Sequence, residues 1–420
     1  MASFEETEAE LTENVTSLGF DLKKLVAQKK LAIEHFYIQR NQFQESGDFN
    51  LDGIFIRLEN AIDSVGAKRV VLDSIEALFT GFTNESTLRA ELRRLFRWLK
   101  DKGVTTVITA ERGVTTLTRQ GLEEYLSDCV ILLEHQVNSL IATRRLRVIK
   151  YRGTSHGSDE YPFLISAEGI SVLPITSVGL DYDVSKEYLS SGIDGLDRVL
   201  GDKGFYRGSS VLISGTAGSG KTSFMSQIVA TACARGESCL YFAFEEPVNQ
   251  IVRNVRSIGI NLDPYIKRGN LHFSALRPSV HGLEMHLSTM HRLTENIKPT
   301  IVVIDPMSNL GPAAAGSEIK SMLIRLIDFF KMNHITAFFT SLTQGGSYDE
   351  LTDVGISSLM DTWIVLQTIQ TEGVRGRVLY IAKSRGMSHS MQMFPYELTN
   401  QGIKLIAPVP VRGKGTVSRN

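Results

Sequence analysis

Ser210-Val211-Leu212-Ile213-Ser214 runs straight into Gly215-Thr216-Ala217-Gly218-Ser219-Gly220-Lys221-Thr222-Ser223, and a helical stretch follows to about Arg235. A short apolar run, a glycine-rich turn and a helix in that order read as a phosphate-binding loop. Glycines let backbone N–H groups converge on phosphate oxygens without a Cβ in the way, and the helix N-terminus adds its partial positive charge. On this reading residues 215–223 cradle ATP, Lys221 reaches its β- and γ-phosphates, and Thr222 holds Mg²⁺. The competing reading is a chance glycine turn, against which the flanking strand and helix both count.

Working downstream, Gly236 sits where a helix should end, and Cys239-Leu240-Tyr241-Phe242-Ala243-Phe244 reads as a second buried strand. It delivers Glu245 and Glu246 at its carboxyl end, the end that faces ligand in an open parallel sheet. A carboxylate there can deprotonate or orient a nucleophile attacking the γ-phosphate, so both are candidate general bases, and Glu246 is also a candidate near the metal. The alternative is that both only complement the dipole of a helix that Pro247 starts. Ile301-Val302-Val303-Ile304-Asp305 is an apolar strand ending in an acid, the expected second half of the Mg²⁺ site. Strands and helices alternate throughout residues 188–405, which predicts a mostly parallel α/β sheet. Near its end Val378-Leu379-Tyr380-Ile381-Ala382-Lys383 leads into Ser384-Arg385-Gly386. Lys383 and Arg385 are either solvated hairpin charges or cations that cross to a neighbouring subunit's γ-phosphate, as arginine fingers do. The sequence leaves both open.

Upstream, the same landmarks recur. Lys150-Tyr151-Arg152-Gly153-Thr154-Ser155-His156 answers to Lys383-Ser384-Arg385-Gly386-Met387-Ser388-His389, the run ending at Asp73 answers to the run ending at Asp305, and Phe4-Glu5-Glu6 answers to Phe244-Glu245-Glu246. Three landmarks in one order indicate a tandem duplication. The counterpart of the phosphate loop would fall ahead of Met1, so the first copy is expected to be incomplete, through a fragment or a misplaced start. The expected plan is a truncated first domain at 1–183, a complete second domain at 184–408, and a short basic tail at 409–420 expected to be disordered. Thr176 to Tyr182 loses periodicity before Ser190-Ser191-Gly192-Ile193-Asp194-Gly195-Leu196-Asp197 opens the second copy.

Composition narrows the function classes. Lys plus Arg total 45 against 46 for Asp plus Glu, so no global positive charge draws the chain onto nucleic acid or anionic lipid. Hydrophobic residues at 42% allow a real core in each copy. Cys129, Cys233 and Cys239 lack metal-ligand spacing and are expected in the core, as suits a reducing compartment. Neither a signal peptide nor a membrane-length apolar run is present, so a cytoplasmic protein without membrane attachment is expected.

The duplicated plan, the loop Gly215 to Thr222, the Glu245-Glu246 pair and the Lys-x-Arg-Gly-x-Ser-His element together resemble the KaiC family of RecA-like ATPases over nearly the whole chain. That resemblance implies two tandem RecA-like P-loop domains, a hexameric ring of identical subunits with ATP at their interfaces, and slow ATP hydrolysis by the first domain. It further implies Ser/Thr autokinase and autophosphatase activity in the second, and Kai-type or response-regulator partners. The family's phosphoacceptors are two adjacent hydroxyl residues a few positions before an Asp that opens an apolar stretch. Thr352-Asp353-Val354-Gly355-Ile356-Ser357-Ser358-Leu359-Met360-Asp361 fits that pattern and makes Ser357 and Ser358 the expected acceptors. The pair is Ser-Ser, whereas the cyanobacterial clock protein carries Ser-Thr, which suggests a relative outside the core clock. Ser358 to Asp361 is equally a capping box. Aligning Asp128 with Asp361 puts Glu124 and Tyr125 opposite the two serines, so only the second copy offers hydroxyls there. Two other functions remain on the table. A RecA-like DNA-dependent ATPase should present basic or aromatic loops, whereas Gln344 to Glu350 is acidic with one aromatic. An ATP-gated assembly module would bind nucleotide without turnover.

Overall fold

The computed structural model describes residues 1–37, 51–79, 82, 84–113, 117–118, 126–138, 141–166, 169–172, 183–277, 282–313, 316–343, 357–371 and 374–407. It divides into two compact units, Met1–Glu134 with Arg144–Leu173, and His135–Thr143 with Pro174–Asn420.

Two separate four-stranded sheets belong to the first unit, apart from the tip of the β5–β6 pair, which falls in the second. Strands β1 (Ala2–Ser3), β2 (Glu34–His35), β3 (Arg69–Asp73) and β4 (Thr105–Ile108) run parallel in the order β2-β1-β3-β4. Strands β5 (Cys129–Asn138), β6 (Ile141–Tyr151), β7 (Glu160–Ser166) and β8 (Gly169–Val172) lie side by side in chain order, with the β6–β7 and β7–β8 pairs antiparallel. Leu88, Leu92, Leu95 and Leu99 recur at helical spacing on the helix Glu85–Asp101. They put one apolar stripe into a core shared with Leu72 and Ile75.

In the second unit β9 (Tyr188–Leu189) and β10 (Phe205–Tyr206) form a small antiparallel ribbon. One nine-stranded sheet follows, built from β11 (Ser210–Gly215), β12 (Cys239–Ala243), β13 (Leu271–Ala275), β14 (Ile301–Asp305), β15 (Thr336–Leu342), β16 (Thr362–Thr371), β17 (Val374–Ser384), β18 (Phe394–Thr399) and β19 (Gly402–Leu405). The order is β13-β12-β14-β15-β11-β16-β17-β18-β19. The first six in that order are parallel, and the last three are added antiparallel. The expected α/β architecture with a mostly parallel sheet is therefore what is found. β11, β12 and β14 are buried at every residue, the reason they read as unbroken apolar runs rather than alternating ones.

Comparing the units explains why the first has two sheets. The order β2-β1-β3-β4 corresponds to β13-β12-β14-β15, and β5-β6-β7-β8 corresponds to β16-β17-β18-β19. What joins the halves in the second unit is β11, paired to β15 on one side and β16 on the other. Among the described residues of the first unit no strand stands in that place. Ile364 and Leu366 are fully buried in one core with Phe224 and Ile228 of the helix Lys221–Ala234, while their counterparts Ile131 and Leu133 are 53% exposed. Equivalent backbone bonds survive in both copies. Phe4 N–H donates to the Asp73 carbonyl at 2.9 Å as Phe244 N–H does to Asp305 at 2.8 Å, and Arg152 N–H donates to Asp128 as Arg385 N–H does to Asp361, both at 2.8 Å.

Cys233 and Cys239 are buried as expected, but Cys129 is exposed, because it opens β5 on the side where no strand among the described residues stands in the place of β11. No helix among the described residues is long and apolar enough to cross a membrane. Glu124, Tyr125, residues 344–350 and 352–356, most of the expected linker and the tail 409–420 lie outside the described residues.

The start of β11 is fastened to β16 through Asp361. Ser210 donates its N–H and its hydroxyl to Asp361 Oδ2, each at 2.9 Å, and Lys331 Nζ lies 2.8 Å from the same oxygen. Burial raises the Asp361 pKa, but Lys331 and the Ser210 N–H outweigh it and hold the carboxyl below its ordinary value. A depressed acid contributes stability that is present above its unfolded pKa and lost as pH falls through the folded one. Asp361→Asn is expected to cost about 3 kcal/mol at pH 7, the lower end for a broken buried pair. The gap to wild type should begin to narrow below about pH 4 and close as pH falls through the lower, folded pKa. Urea denaturation of both proteins at pH 7 and pH 3 checks both statements.

Candidate functional site

The carboxyl ends of β11, β12, β14 and β15 lie along one edge of the second sheet. The registers Ala243↔Asp305, Ile304↔Phe339 and Gly215↔Leu342 align them. Gly215 to Ser223 wraps off β11 at this edge and enters the helix Lys221–Ala234. Gly218 and Gly220 have φ of 78° and 95°, a region that side chains with a Cβ rarely adopt. Gly215 is needed for a different reason from the one its place in the motif suggests: an added Cβ would stand 2.4 Å from the Leu366 carbonyl oxygen of β16. Thr216 is half-buried, while Ala217 and Gly218 are exposed at the crown of the loop.

Lys221 is buried and donates through Nζ to the carbonyls of Gly215 and Thr216, at 2.8 and 3.0 Å. Burial lowers its pKa, opposed by the charges of Asp305 and Glu245. Those two carboxylates, the expected metal ligand and one expected base, thus share a field with the loop lysine. The Asp305 carboxylate is itself buried and accepts three hydroxyl hydrogens. Thr222 Oγ1 donates to Oδ2 at 2.8 Å, the Tyr241 phenol donates to Oδ2 at 2.5 Å, and Thr340 Oγ1 donates to Oδ1. Burial and the adjacent Asp305 push the Tyr241 phenol well above its ordinary pKa, so it stays a donor. Glu245 is exposed beyond the end of β12, and half-buried Glu246 accepts from Asn254 Nδ2 at 3.3 Å. The helix Val248–Arg256 follows with Pro247 as its N-cap, so a dipole-complementing role for the pair remains compatible with its position.

Donor chemistry fits the expected ligand. A threonine hydroxyl beside a carboxylate is a hard-oxygen pair of the kind Mg²⁺ takes while keeping water and phosphate as its other ligands. Ser219 Oγ in the loop and Thr343 Oγ1 beside it are buried without a hydrogen-bond partner among the described residues, polar groups of the sort that a bound phosphate satisfies. Tyr396 on β18 donates to the Ser219 carbonyl at 2.5 Å, and Trp363 Nε1 on β16 donates to Ser214 Oγ at 2.8 Å. Both secure the loop from the antiparallel side of the sheet.

Lys383, Arg385, Ser357 and Ser358 gather at the opposite edge. Thr362 pairs with Ser384, and Trp363 with Lys383, at the beginning of β16. Lys383 Nζ donates to the Ser357 and Ser358 carbonyls at 3.1 and 3.3 Å, and Arg385 donates to the Ser358 carbonyl at 2.7 Å. Burial and the nearby Arg385 lower the Lys383 pKa. Ser358 is exposed and Ser357 partly so, in a turn that leads into a strand rather than a helix, which removes the capping-box alternative. β11 separates the two edges by its whole length, about 16 Å at roughly 3.3 Å per residue. The structure therefore brings Lys221, Thr222, Asp305 and Glu245 together and keeps Lys383 and Arg385 away from the phosphate loop of their own chain.

The family model described as "ATPase: KaiC" matches residues 1–177 and 189–409. The chain belongs to the KaiC family. It is 52% identical over 408 residues to the circadian clock protein KaiC2 of Synechocystis sp., an alignment covering 97% of this chain and 72% of that protein. It is 35% identical over 407 residues to the circadian clock oscillator protein KaiC of Parathermosynechococcus lividus, covering 96% and 75%. With the KaiC of Synechococcus elongatus it shares 33% identity over 403 residues, covering 95% and 78%. A KaiC-family ATPase binds ATP.

Sequence reading missed Tyr241, Thr340, Tyr396 and Trp363. The available signal was a Tyr or Trp inside a buried apolar strand, since such a residue needs a hydrogen-bond partner. Lys221→Ala removes the only cation in the cradle among the described residues and breaks no tertiary ion pair. ATP affinity by calorimetry is expected to fall at least about 30-fold, the equivalent of the roughly 2 kcal/mol or more lost with a buried charge partner, with the melting temperature nearly unchanged.

Proposed function

We propose that this chain is an ATP-dependent Ser autokinase and ATPase of the KaiC type, holding Mg²⁺-ATP on residues 215–223 and passing the γ-phosphoryl to Ser357 or Ser358 of a neighbouring subunit. The observation that supports this reading is the separation of donor and acceptor. The acceptor turn, with Lys383 and Arg385 bound to its carbonyls, sits at the edge of the sheet opposite the phosphate loop, so transfer within one chain has no path.

Thr222 and Asp305 are the residues that would hold the metal, with Glu246 nearby, and bound Mg²⁺ supplies neutralisation of phosphate charge. Lys221 exchanges the Gly215 and Thr216 carbonyls for oxygens of the β- and γ-phosphates. Glu245, exposed at the end of β12, accepts the proton of the attacking serine hydroxyl. The serine oxygen forms its bond to the γ-phosphorus as the bond to the β–γ bridging oxygen breaks and ADP departs. With water in place of serine, the same groups give ATP hydrolysis. The neighbour's Lys383 and Arg385 enter with the acceptor and face the transferring phosphoryl. Self-association into a closed ring, six-membered as the family resemblance implies, is the assembly this requires. A clock-related signalling role extends to this chain what its relatives' names say of them, and Kai-type or response-regulator partners are what the family resemblance implies.

Mixing two inactive variants provides the test. Lys221→Ala keeps its acceptors but loses its cradle, and the double variant Ser357→Ala/Ser358→Ala keeps its cradle but loses its acceptors. Incubated together with Mg²⁺-ATP, they should place phosphate on the Lys221→Ala chain alone, read by mass spectrometry of the peptide spanning Ser357 and Ser358. Wild-type protein that carries no phosphate on that peptide would end the autokinase reading.

A further inference from the structure

Asp305 receives its three hydroxyl hydrogens from three different elements, and the donors are not equivalent. Thr222 stands in the first turn of the loop helix, and its hydroxyl must turn to the metal when Mg²⁺-ATP binds. Thr340 on β15 is a feature of the fold, because Thr109 makes the same bond to Asp73 in the first unit. Tyr241 on β12 is different. It donates a phenol hydrogen to Oδ2 from β12, the strand paired to β14. Tyr241 pairs across the sheet with Val303, two residues before Asp305, so its ring and the carboxylate rise from the same face. It is fully buried, packed 5.0 Å from the Phe273 ring, and its oxygen reaches the same Oδ2 that Thr222 occupies.

We propose that Tyr241 is a positioning residue for the metal site. Its phenol fixes the rotamer of the Asp305 carboxylate so that Oδ2 stays aimed at Thr222 after that hydroxyl leaves for the metal. Thr340 alone holds only Oδ1, which leaves the plane of the carboxylate free to turn about that bond. Tyr241 does not touch nucleotide in this role. It acts through the orientation of Asp305, as outer-shell partners of metal ligands do. The bland alternative is that a buried phenol has taken the nearest acceptor, in which case its loss changes nothing at the metal.

The inference rests on the Mg²⁺-ATP reading of the cradle, and the experiment separates the two. The full chain, wild type and Tyr241→Phe, is titrated with ATP in EDTA by calorimetry. The ATP complex is then titrated with Mn²⁺ followed by electron paramagnetic resonance, with Mg²⁺ as competitor. Tyr241→Phe removes one oxygen and keeps the ring, so the core should stay intact, as the melting temperature will report. Metal-free ATP affinity is expected to remain within about twofold, while Mn²⁺ and Mg²⁺ affinity for the complex falls about tenfold or more. Unchanged metal affinity in the variant, or an equal loss with and without metal, overturns the role of Tyr241 while leaving the cradle standing. A wild-type ATP complex that binds no metal overturns both.

Discussion

The second unit depends on a single strand, Ser210–Gly215, being sealed on all sides. It pairs with β15 and β16, lies under the helix that follows it, and exposes none of its six residues. Burying Val211, Leu212 and Ile213 stabilises the fold by about 1.5–3 kcal/mol each. The same burial fixes where the strand stops, and the glycine loop can only begin where it stops. Asp361 fastens the other end through Ser210 and Lys331. A rigid strand clamped at its start and released at its end is what holds the Lys221 ammonium and the Asp305 carboxylate in register.

Around that strand, the chemistry legible in sequence was the chemistry that is local. The cradle, the Glu245-Glu246 pair and Asp305 each announce themselves within a few residues of a strand end, and the duplication repeats whole phrases. Bonds made by tertiary contact were not legible. Tyr396 reaches a carbonyl 177 residues away and Trp363 a hydroxyl 149 residues away, and no window along the chain contains both partners. Ser358 to Asp361 satisfied a helix-capping pattern, yet the Asp361 carboxylate is engaged by Ser210 and Lys331, and the chain continues as β16. Tertiary pairing overrode a local signal. Cys129 misled for a related reason: a small apolar residue opening a strand reads as core, but among the described residues that strand has no neighbour to cover it.

Polar groups in the site are economical. Among the described residues Lys221 is buried without an ion-pair partner in contact, its hydrogens taken by the two carbonyls of its own loop. Among the same residues no cation touches buried Asp305, whose lone pairs are taken by hydroxyls. Both charges are therefore satisfied by neutral dipoles, which can be given up one at a time to a ligand. A direct bond between them would have to be broken outright, at the cost of leaving two buried charges unpaired.

The polarity of the nine-stranded sheet has a geometric consequence. On the reading proposed above, donor loop and acceptor turn lie at opposite ends of parallel strands, so a two-fold pair could meet donor to acceptor only with its subunits antiparallel, each loop against the other's turn. A ring instead joins its subunits head-to-tail. Such heterologous contacts propagate, and they terminate only when the rotation from one subunit to the next divides a full circle; otherwise the product is an open helical filament. In the proposed assembly, the side chains that set that angle decide between a closed particle of fixed stoichiometry and a polymer of indefinite length.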